Sequence, residues 1–261
     1  MGDAMRWMVG TLTLSILALH PVMAVAQDRP NRRLVWSDEF KSDGRPDPAK
    51  WDYEVGFVRN NELQYYTRDR RENARVEDGH LTIEARKERF ENASVTSASL
   101  TSRQKWTYGR IEVRAKIPTG RGTWPAIWML GTNIKDVGWP ACGEIDIMEN
   151  VGFEPDKIYC TVHTRNAAGA HASKGGSITA DKPYGGFHVY AVDWDAKRMV
   201  FTYDGKHVLT YENDAVNPWP FDEPQYLILN LAMGGAWGGQ KGVDESIYPS
   251  KFLIDYVRVY Q

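Results

Sequence analysis

Apolar and polar residues alternate in short runs along most of the chain. The alternation is clearest from Arg110 to Ile117, from His80 to Lys87 and from Tyr256 to Tyr260. A period of two indicates β-strands with one buried and one solvated face. Asp-Gly pairs at 78–79 and 204–205 stand between such runs. They predict tight hairpin turns, because both residues of such a turn need a positive φ.

The remaining segments extend this β pattern over the chain. Further strand candidates are RLVWSDEF, ELQYYT, TWPAIWML, IYCTVHT, FHVYAVDW, MVFTYD and YLILNLAM. No long amphipathic helix with capping residues is evident. Many short strands with Gly- and Pro-rich connections predict an all-β sandwich or barrel. No repeat or linker follows Pro30, so we expect a single domain.

The first 26 residues have the layout of a secretory signal peptide. Arg6 precedes an apolar run from Trp7 to Leu19, and small residues at 24–26 precede Gln27. The apolar run is shorter than the about 20 residues that span a bilayer. We therefore expect residues 1–26 to be cleaved and residues 27–261 to form one secreted domain, extracellular or periplasmic, that is not attached to a membrane.

Charge and cysteine content limit the classes of partner. The formal net charge is −2, which gives no reason to expect nucleic acid or an anionic membrane as a partner. Cys142 and Cys160 are the two cysteines. A hairpin formed by residues 143–150 and 157–164 would offset them by several residues. This offset favours two free thiols over a disulfide bridge.

The segment GEIDIMEN places three acids within six positions. Glu144 and Asp146 are two apart and share a strand face. Glu149 is five positions from Glu144, and a regular strand would point it to the other face. A β-bulge at Ile147 and Met148 would absorb one residue and return Glu149 to the same face. We therefore expect a bulged strand with three clustered carboxylates.

Aromatic residues flank this acidic segment. Trp124, Trp128 and Trp139 precede it and His163 follows, in a chain with 10 Trp and 13 Tyr. Three carboxylates on one face repel one another unless they are solvated or take part in a reaction. A solvated strand face is the alternative interpretation. Aromatic side chains next to a carboxylate pair favour a glycan-cleaving groove, because aromatic rings stack on sugar rings.

GEIDIMEN resembles the active-site strand of glycoside hydrolase family 16 in its bulged form. Further similar blocks, in chain order, are LVWSDEF, NNELQYYT, YGRIEVRAKIPTGRGTWPAIWML, GWPACGEIDIMENVG, TVHT, LILNLAMGG and DYVRVYQ. Within the family they most resemble bacterial laminarinases, which are endo-β-1,3-glucanases. The resemblance implies a β-jelly-roll sandwich of two antiparallel sheets with a concave glycan-binding cleft. It also implies that cleavage retains the anomeric configuration.

The resemblance also implies a role for each acid. Glu144 matches the nucleophile, Glu149 the general acid/base, and Asp146 the acid that hydrogen-bonds the nucleophile. Retaining cleavage needs two carboxyl groups about 5–5.5 Å apart. Negative charge on Glu144 and Asp146 would help Glu149 to keep its proton, so we treat the three acids as one coupled unit.

Six further positions match residues near the family's cleft: Asn61, Arg86, Trp124, Trp128, Trp139 and His163. By this resemblance Asn61 and Arg86 would hydrogen-bond sugar hydroxyls, and the Trp residues would stack on sugar rings. Simpler roles exist for each type. Tryptophans in alternating strands also fill cores, and Arg86 would equally well cover a sheet face.

No cofactor is expected for catalysis, but the resemblance implies a structural calcium ion. The matching positions are Glu39, the backbone carbonyl of Gly79, and Asp255. Oxygen ligands from distant segments suit Ca²⁺. Such an ion would tie both ends of the domain to the sheet that lies away from the cleft.

The polymer itself is less constrained than the chemistry. We expect a monomer that cleaves laminarin-type β-1,3-glucan. The same chemistry on mixed-linkage β-glucan, agarose or carrageenan is the first alternative. A non-catalytic β-glucan-binding protein is the second, although such relatives typically lack one or more of the three acids.

Overall fold

The computed structural model describes residues 1–2, 32–214 and 216–261. The predicted signal peptide and its cleavage site at Gln27 therefore lie almost wholly outside the described residues. The elements below belong to the compact unit Arg32–Gln261. Among the described residues, none of the helices has the length and apolarity needed to cross a membrane.

Two sheets carry the fold, as the alternation predicts. The larger has ten strands: β1 (Leu34–Asp38), β3 (Gln64–Tyr66), β4 (Ala74–Glu77), β5 (His80–Phe90), β6 (Ala93–Ser97), β8 (Gly109–Lys116), β13 (His188–Trp194), β14 (Arg198–Tyr203), β15 (Lys206–Glu212) and β17 (Ser250–Tyr260). The smaller has seven: β2 (Trp51–Tyr53), β7 (Ser99–Trp106), β9 (Thr123–Gly131), β10 (Glu144–Glu149), β11 (Lys157–Arg165), β12 (His171–Thr179) and β16 (Gln225–Met233). The all-β prediction is confirmed.

Strand direction and helix content add detail. The short strand β3 runs parallel to β6, whereas the other pairings between described strands are antiparallel. The single α-helix of the described residues, α1 (Ile134–Val137), has four residues. Two 3₁₀ turns lie at Pro220–Asp222 and Glu245–Ile247.

Strand alternation builds the core between the sheets. On β8, Ile111, Val113 and Ala115 are fully buried, and the charged residues between them point outward. Burial of one such aliphatic side chain stabilises the fold by about 1.5–3 kcal/mol. The main core cluster takes side chains from both sheets, so the two alternating patterns meet face to face.

Both predicted hairpin turns are present. Asp78 and Gly79 have φ values of 52° and 75° between β4 and β5. Asp204 and Gly205, at 47° and 75°, join β14 to β15. Positive φ at both central residues matches the right-handed twist of the flanking strands.

The outer face of the smaller sheet has a separate apolar cluster. Alternate residues of β9 point outward, and Trp128 and Leu130 pack there with Cys142 and Ile228. Cys160 belongs instead to the main core, and both cysteines are free. The two thiols thus lie in different packing layers, in agreement with the predicted absence of a bridge.

Candidate active site

Strand β10 contains the predicted β-bulge. Its pairing with β11 runs Glu144↔His163, Asp146↔Thr161 and then Glu149↔Tyr159, with a register shift after Asp146. The three partners on β11 are two residues apart and share one face. The bulge therefore returns Glu149 to the face of Glu144 and Asp146.

The residues between the acids anchor the strand from behind. Ile145, Ile147 and Met148 are all buried in the main core. Because both bulge residues point inward, the extra residue adds apolar contact to the core. Three buried side chains therefore hold the backbone that presents the three carboxylates.

The acids line a cavity of about 730 Å³ on the outer face of the smaller sheet. Seven of the nine residues predicted for catalysis and substrate contact line it: Trp124, Trp128, Trp139, Glu144, Asp146, Glu149 and His163. The size is typical of ligand-binding clefts. The structure thus gathers most of the predicted site in one place.

Glu149 lies beside two tryptophans. Trp124 Nε1 donates a 3.0 Å hydrogen bond to Glu149 Oε1, and Trp237 packs edge-on against Trp124. Burial raises the pKa of Glu149 well above its ordinary value. This environment favours a protonated carboxyl, as a general acid requires.

Glu144 has a different set of neighbours. Trp139 Nε1 donates a 2.8 Å hydrogen bond to Glu144 Oε2, although Trp139 is 47% exposed. Such a donor stabilises an ionised carboxylate and fixes its orientation. The arrangement suits a nucleophile.

Asp146 is the most enclosed of the three acids. Burial, then the charge of Glu144 and a hydrogen bond with that residue, raise the pKa of Asp146 well above its ordinary value. Its Oδ2 lies 3.2 Å from His163 Nε2 without hydrogen-bond geometry, so this oxygen has no hydrogen-bond partner. The raised pKa favours a proton on Asp146, which the hydrogen bond with Glu144 would hold.

His163 connects the acids to a second histidine. Its Nδ1 lies 2.9 Å from Nε2 of His171, and the two rings stack. Glu144, Asp146 and His163 also each place one possible ligand atom within 4.8 Å of the others. At this spacing the three side chains could hold a metal ion.

Two predicted contacts lie outside the cavity lining. Arg86 is on β5 of the larger sheet and is ion-paired with Glu84. Asn61 is exposed, and its neighbour Asn60 lines the cavity instead. A motif match fixes the segment, but the backbone turn decides which of two adjacent asparagines faces the cleft.

Other lining residues were not singled out from the sequence. They include Glu54, Arg59, Glu62, Asn230 and Trp237. Arg59 directly precedes the block NNELQYYT, and Glu62 lies within it. This block is the one sequence signal near these two residues. Their contact with the cleft depends on the loop between β2 and β3.

The predicted calcium ligands are already engaged with cations. Glu39 accepts hydrogen bonds of 2.9 and 2.8 Å from Arg258, and Asp255 is ion-paired with Arg114. His80, next to Gly79, lies 4.0 Å from Asp255. In this arrangement the donor set does not fit Ca²⁺ unless the two arginines release the carboxylates.

Taken together, these contacts equip the cleft for acid–base and nucleophilic chemistry. One carboxylate is held by a tryptophan N–H, one carboxyl group is kept protonated, and a third acid modulates the first. A nucleophilic carboxylate beside a protonated carboxyl group is the equipment that retaining cleavage of a glycosidic bond uses.

Comparison with known proteins agrees with this architecture. Residues 61–258 match the family described as glycosyl hydrolases family 16. A β-glucanase of Rhodothermus marinus is 50% identical over 89% of this chain and 86% of its own length. The crystal structure of the laminarinase from Rhodothermus marinus superposes with a TM-score of 0.83 at 49% identity, covering 88% of this chain and 97% of that chain.

A second structure was solved with a bound oligosaccharide. It is a non-specific endo-β-1,3(4)-glucanase, co-crystallised with 1,3-β-D-cellotriosyl-glucose. It has a TM-score of 0.83 and 47% identity, and covers 89% of this chain and 96% of that chain. The family match, these relatives and the bulged acidic strand agree: the chain belongs to glycosyl hydrolase family 16.

Proposed function

We propose that this protein is an endo-acting, retaining β-1,3-glucanase of the laminarinase type. The observation that carries the proposal is the bulged strand β10, which presents Glu144, Asp146 and Glu149 together in a tryptophan-lined cleft. Similarity to a β-glucanase and to laminarinases over most of the chain supports the polymer class.

In the first half-reaction Glu144 attacks the anomeric carbon. The glycosidic C–O bond breaks, and Glu149 gives its proton to the departing oxygen, which leaves a glycosyl ester on Glu144. The negative charge of Glu144 is consumed in the ester. Glu149, now ionised, then takes a proton from water while that water attacks the same carbon and releases Glu144.

The charge of the cleft favours a neutral polymer. Five acids line it, namely Glu54, Glu62, Glu144, Asp146 and Glu149, whereas Arg59 is the one lysine or arginine in the described lining. A sulfated chain would bring further negative charge into an already acidic groove. This argues against carrageenan and supports an uncharged glucan.

The test is the release of reducing ends by residues 27–261 from laminarin, mixed-linkage β-glucan, agarose and carrageenan. Native protein is compared with Glu144→Gln, which removes the nucleophile with little change in shape. We expect release from laminarin, with a loss of at least about 10³-fold in the variant.

Other outcomes would change the assignment in distinct ways. Release from agarose or carrageenan alone would keep the mechanism and overturn the polymer. Retained laminarin binding without release from any polymer would favour a non-catalytic glucan-binding protein.

We also propose that the protein is secreted after cleavage before Gln27 and acts as a monomer. The layout of residues 1–26 supports the first proposal. Amino-terminal sequencing of exported protein would test it, and a start at Met1 would contradict it. Light scattering would test the second, because a dimer mass in dilute solution would contradict it.

A further inference from the structure

We propose that Arg59 and Glu54 form the specificity-determining pair of the cleft, with Arg59 binding sugar hydroxyls and Glu54 cancelling its charge. The proposal rests on the proposed function, since it concerns the same cleft. It assigns to Arg59 the hydroxyl-binding role that the sequence suggested for Arg86.

The guanidinium of Arg59 covers a face of Trp128. Its central carbon lies 4.7 Å from the centroid of the indole ring. A sugar cannot stack on the face that the arginine already occupies. At this part of the cleft the polar guanidinium, rather than the indole, is therefore the surface available to a substrate.

A hydrogen-bonded chain fixes Trp128 beneath the arginine. Trp128 Nε1 donates to Asn230 at 2.8 Å, and Asn230 Nδ2 donates to the Tyr66 hydroxyl at 3.0 Å. The Tyr66 hydroxyl in turn donates to Glu62 at 3.1 Å. The platform under Arg59 is thus held before substrate arrives, which reduces the ordering cost of binding.

Arg59 retains donor capacity. Its Nη2 pairs with Glu54, whose other oxygen accepts a 2.6 Å hydrogen bond from Ser99. The second terminal nitrogen, Nη1, is buried and has no hydrogen-bond partner. An unpaired buried donor is costly, so a small adjustment that offers Nη1 a sugar oxygen would be favourable.

Glu54 determines what kind of oxygen fits. A lone arginine in a cleft attracts carboxylates and sulfates as readily as hydroxyls. The Arg59–Glu54 pair carries little net charge, and Glu62 lies close by, while the guanidinium keeps its directional donors. The pair therefore selects a neutral sugar hydroxyl over an anionic group.

Binding is best measured in a Glu144→Gln background, where the substrate stays intact. Isothermal titration would use a laminari-oligosaccharide and a carboxymethylated β-1,3-glucan oligosaccharide of equal length. We expect Arg59→Gln to weaken binding of the neutral chain by about tenfold or more, the usual effect of losing a charged donor. Glu54→Gln should raise relative affinity for the carboxymethylated chain several-fold.

Arg45→Gln is the matched control, because Arg45 forms one exposed ion pair with Asp69 and does not line the cavity. It should leave both affinities unchanged. Thermal melting of each variant separates binding from folding. Two results would overturn the pair's role. One is unchanged affinity of folded Arg59→Gln for the neutral chain. The other is an unchanged ratio of the affinities for the neutral and the carboxymethylated chain in Glu54→Gln. No binding by the Glu144→Gln parent would instead count against the proposed function.

Discussion

The carboxyl group of Glu149 has to hold a proton in one half-reaction and lose it in the next. Its enclosure beside Trp124 raises its pKa, whereas the Trp124 hydrogen bond acts in the opposite direction. Activity should therefore fall as the pH rises through the folded-state pKa of Glu149. This fall in activity should lie at higher pH than an ordinary carboxyl group would give.

The raised pKa also makes a prediction for stability. Above the ordinary carboxyl pKa, the folded state binds a proton at Glu149 that the unfolded chain does not, so stability declines as the pH rises toward the folded-state pKa. Glu149→Gln removes this penalty. We expect a Tm gain of a few degrees at pH 7–8, from about 0.5–2 kcal/mol, and almost none at pH 4.

Calorimetry across this pH range would check the gain, with kcat measured in parallel. Loss of the general acid should lower kcat by about 10²–10⁴-fold. Glu154→Gln is a suitable control, because its hydrogen bond from Lys157 lowers the pKa of Glu154. A Tm gain of Glu149→Gln at pH 4 equal to that at pH 8 would contradict a raised pKa of Glu149.

Single residues also show where sequence reasoning ends. The three acids and the flanking tryptophans were recognisable because their spacing has a direct geometric meaning. Arg59 and His171 were not, because their roles depend on contacts with Trp128 and His163 across the fold. Neither contact leaves a local pattern in the chain.

At the scale of the strand, the bulge in β10 is testable by deletion. Removing Met148 alone leaves Glu149 two positions after Asp146, on the cleft face. Removing both Ile147 and Met148 turns Glu149 toward the core. The first deletion should keep measurable hydrolysis at a cost on the order of 2–4 kcal/mol for the lost core side chain.

The double deletion should abolish hydrolysis, because the acid then faces Ile145's side of the sheet. Adding Glu149→Leu to it should restore stability without restoring activity, because no charge is then buried. Reducing-end assays and chemical denaturation would check both. Equal activity of the two deletion variants would show that the face of Glu149 does not depend on whether one or two residues are removed.

Strand prediction succeeded where one face of the strand is buried. Strands β8 and β5 carry apolar residues on their inner face, and their alternation was readable. Strand β12, HASKGGSIT, was missed, because it is an edge strand with no fully buried residue and so has no apolar alternation. The parallel pairing of β3 with β6 was likewise hidden, since pairing direction depends on chain path.

In the whole molecule, the packing of two sheets follows from the alternation of apolar and polar residues, but the formation of the cleft does not. Its walls come from the loop before β3, from β9 and β10, and from Trp237 in the segment after β16. These segments are distant in sequence. Their meeting was predictable only through resemblance to a known family.

Calcium binding is a property of the larger sheet and stays a prediction. Chelation by EDTA tests it: a lower Tm with unchanged hydrolysis would show a bound ion, because the ligands proposed lie away from the cleft. Binding would require Arg258 and Arg114 to release Glu39 and Asp255. An unchanged Tm after chelation would mean that these ion pairs, and no metal ion, join the chain ends to the sheet.

In the proposed mechanism Glu144 forms a covalent intermediate, which water opens with help from Glu149. Proton NMR of the anomeric signals during early hydrolysis of a reduced-end laminari-oligosaccharide tests it directly. We expect the β-anomer to appear first and the α-anomer to follow only by mutarotation. Initial release of the α-anomer would mean inversion, and would rule out Glu144 as the nucleophile.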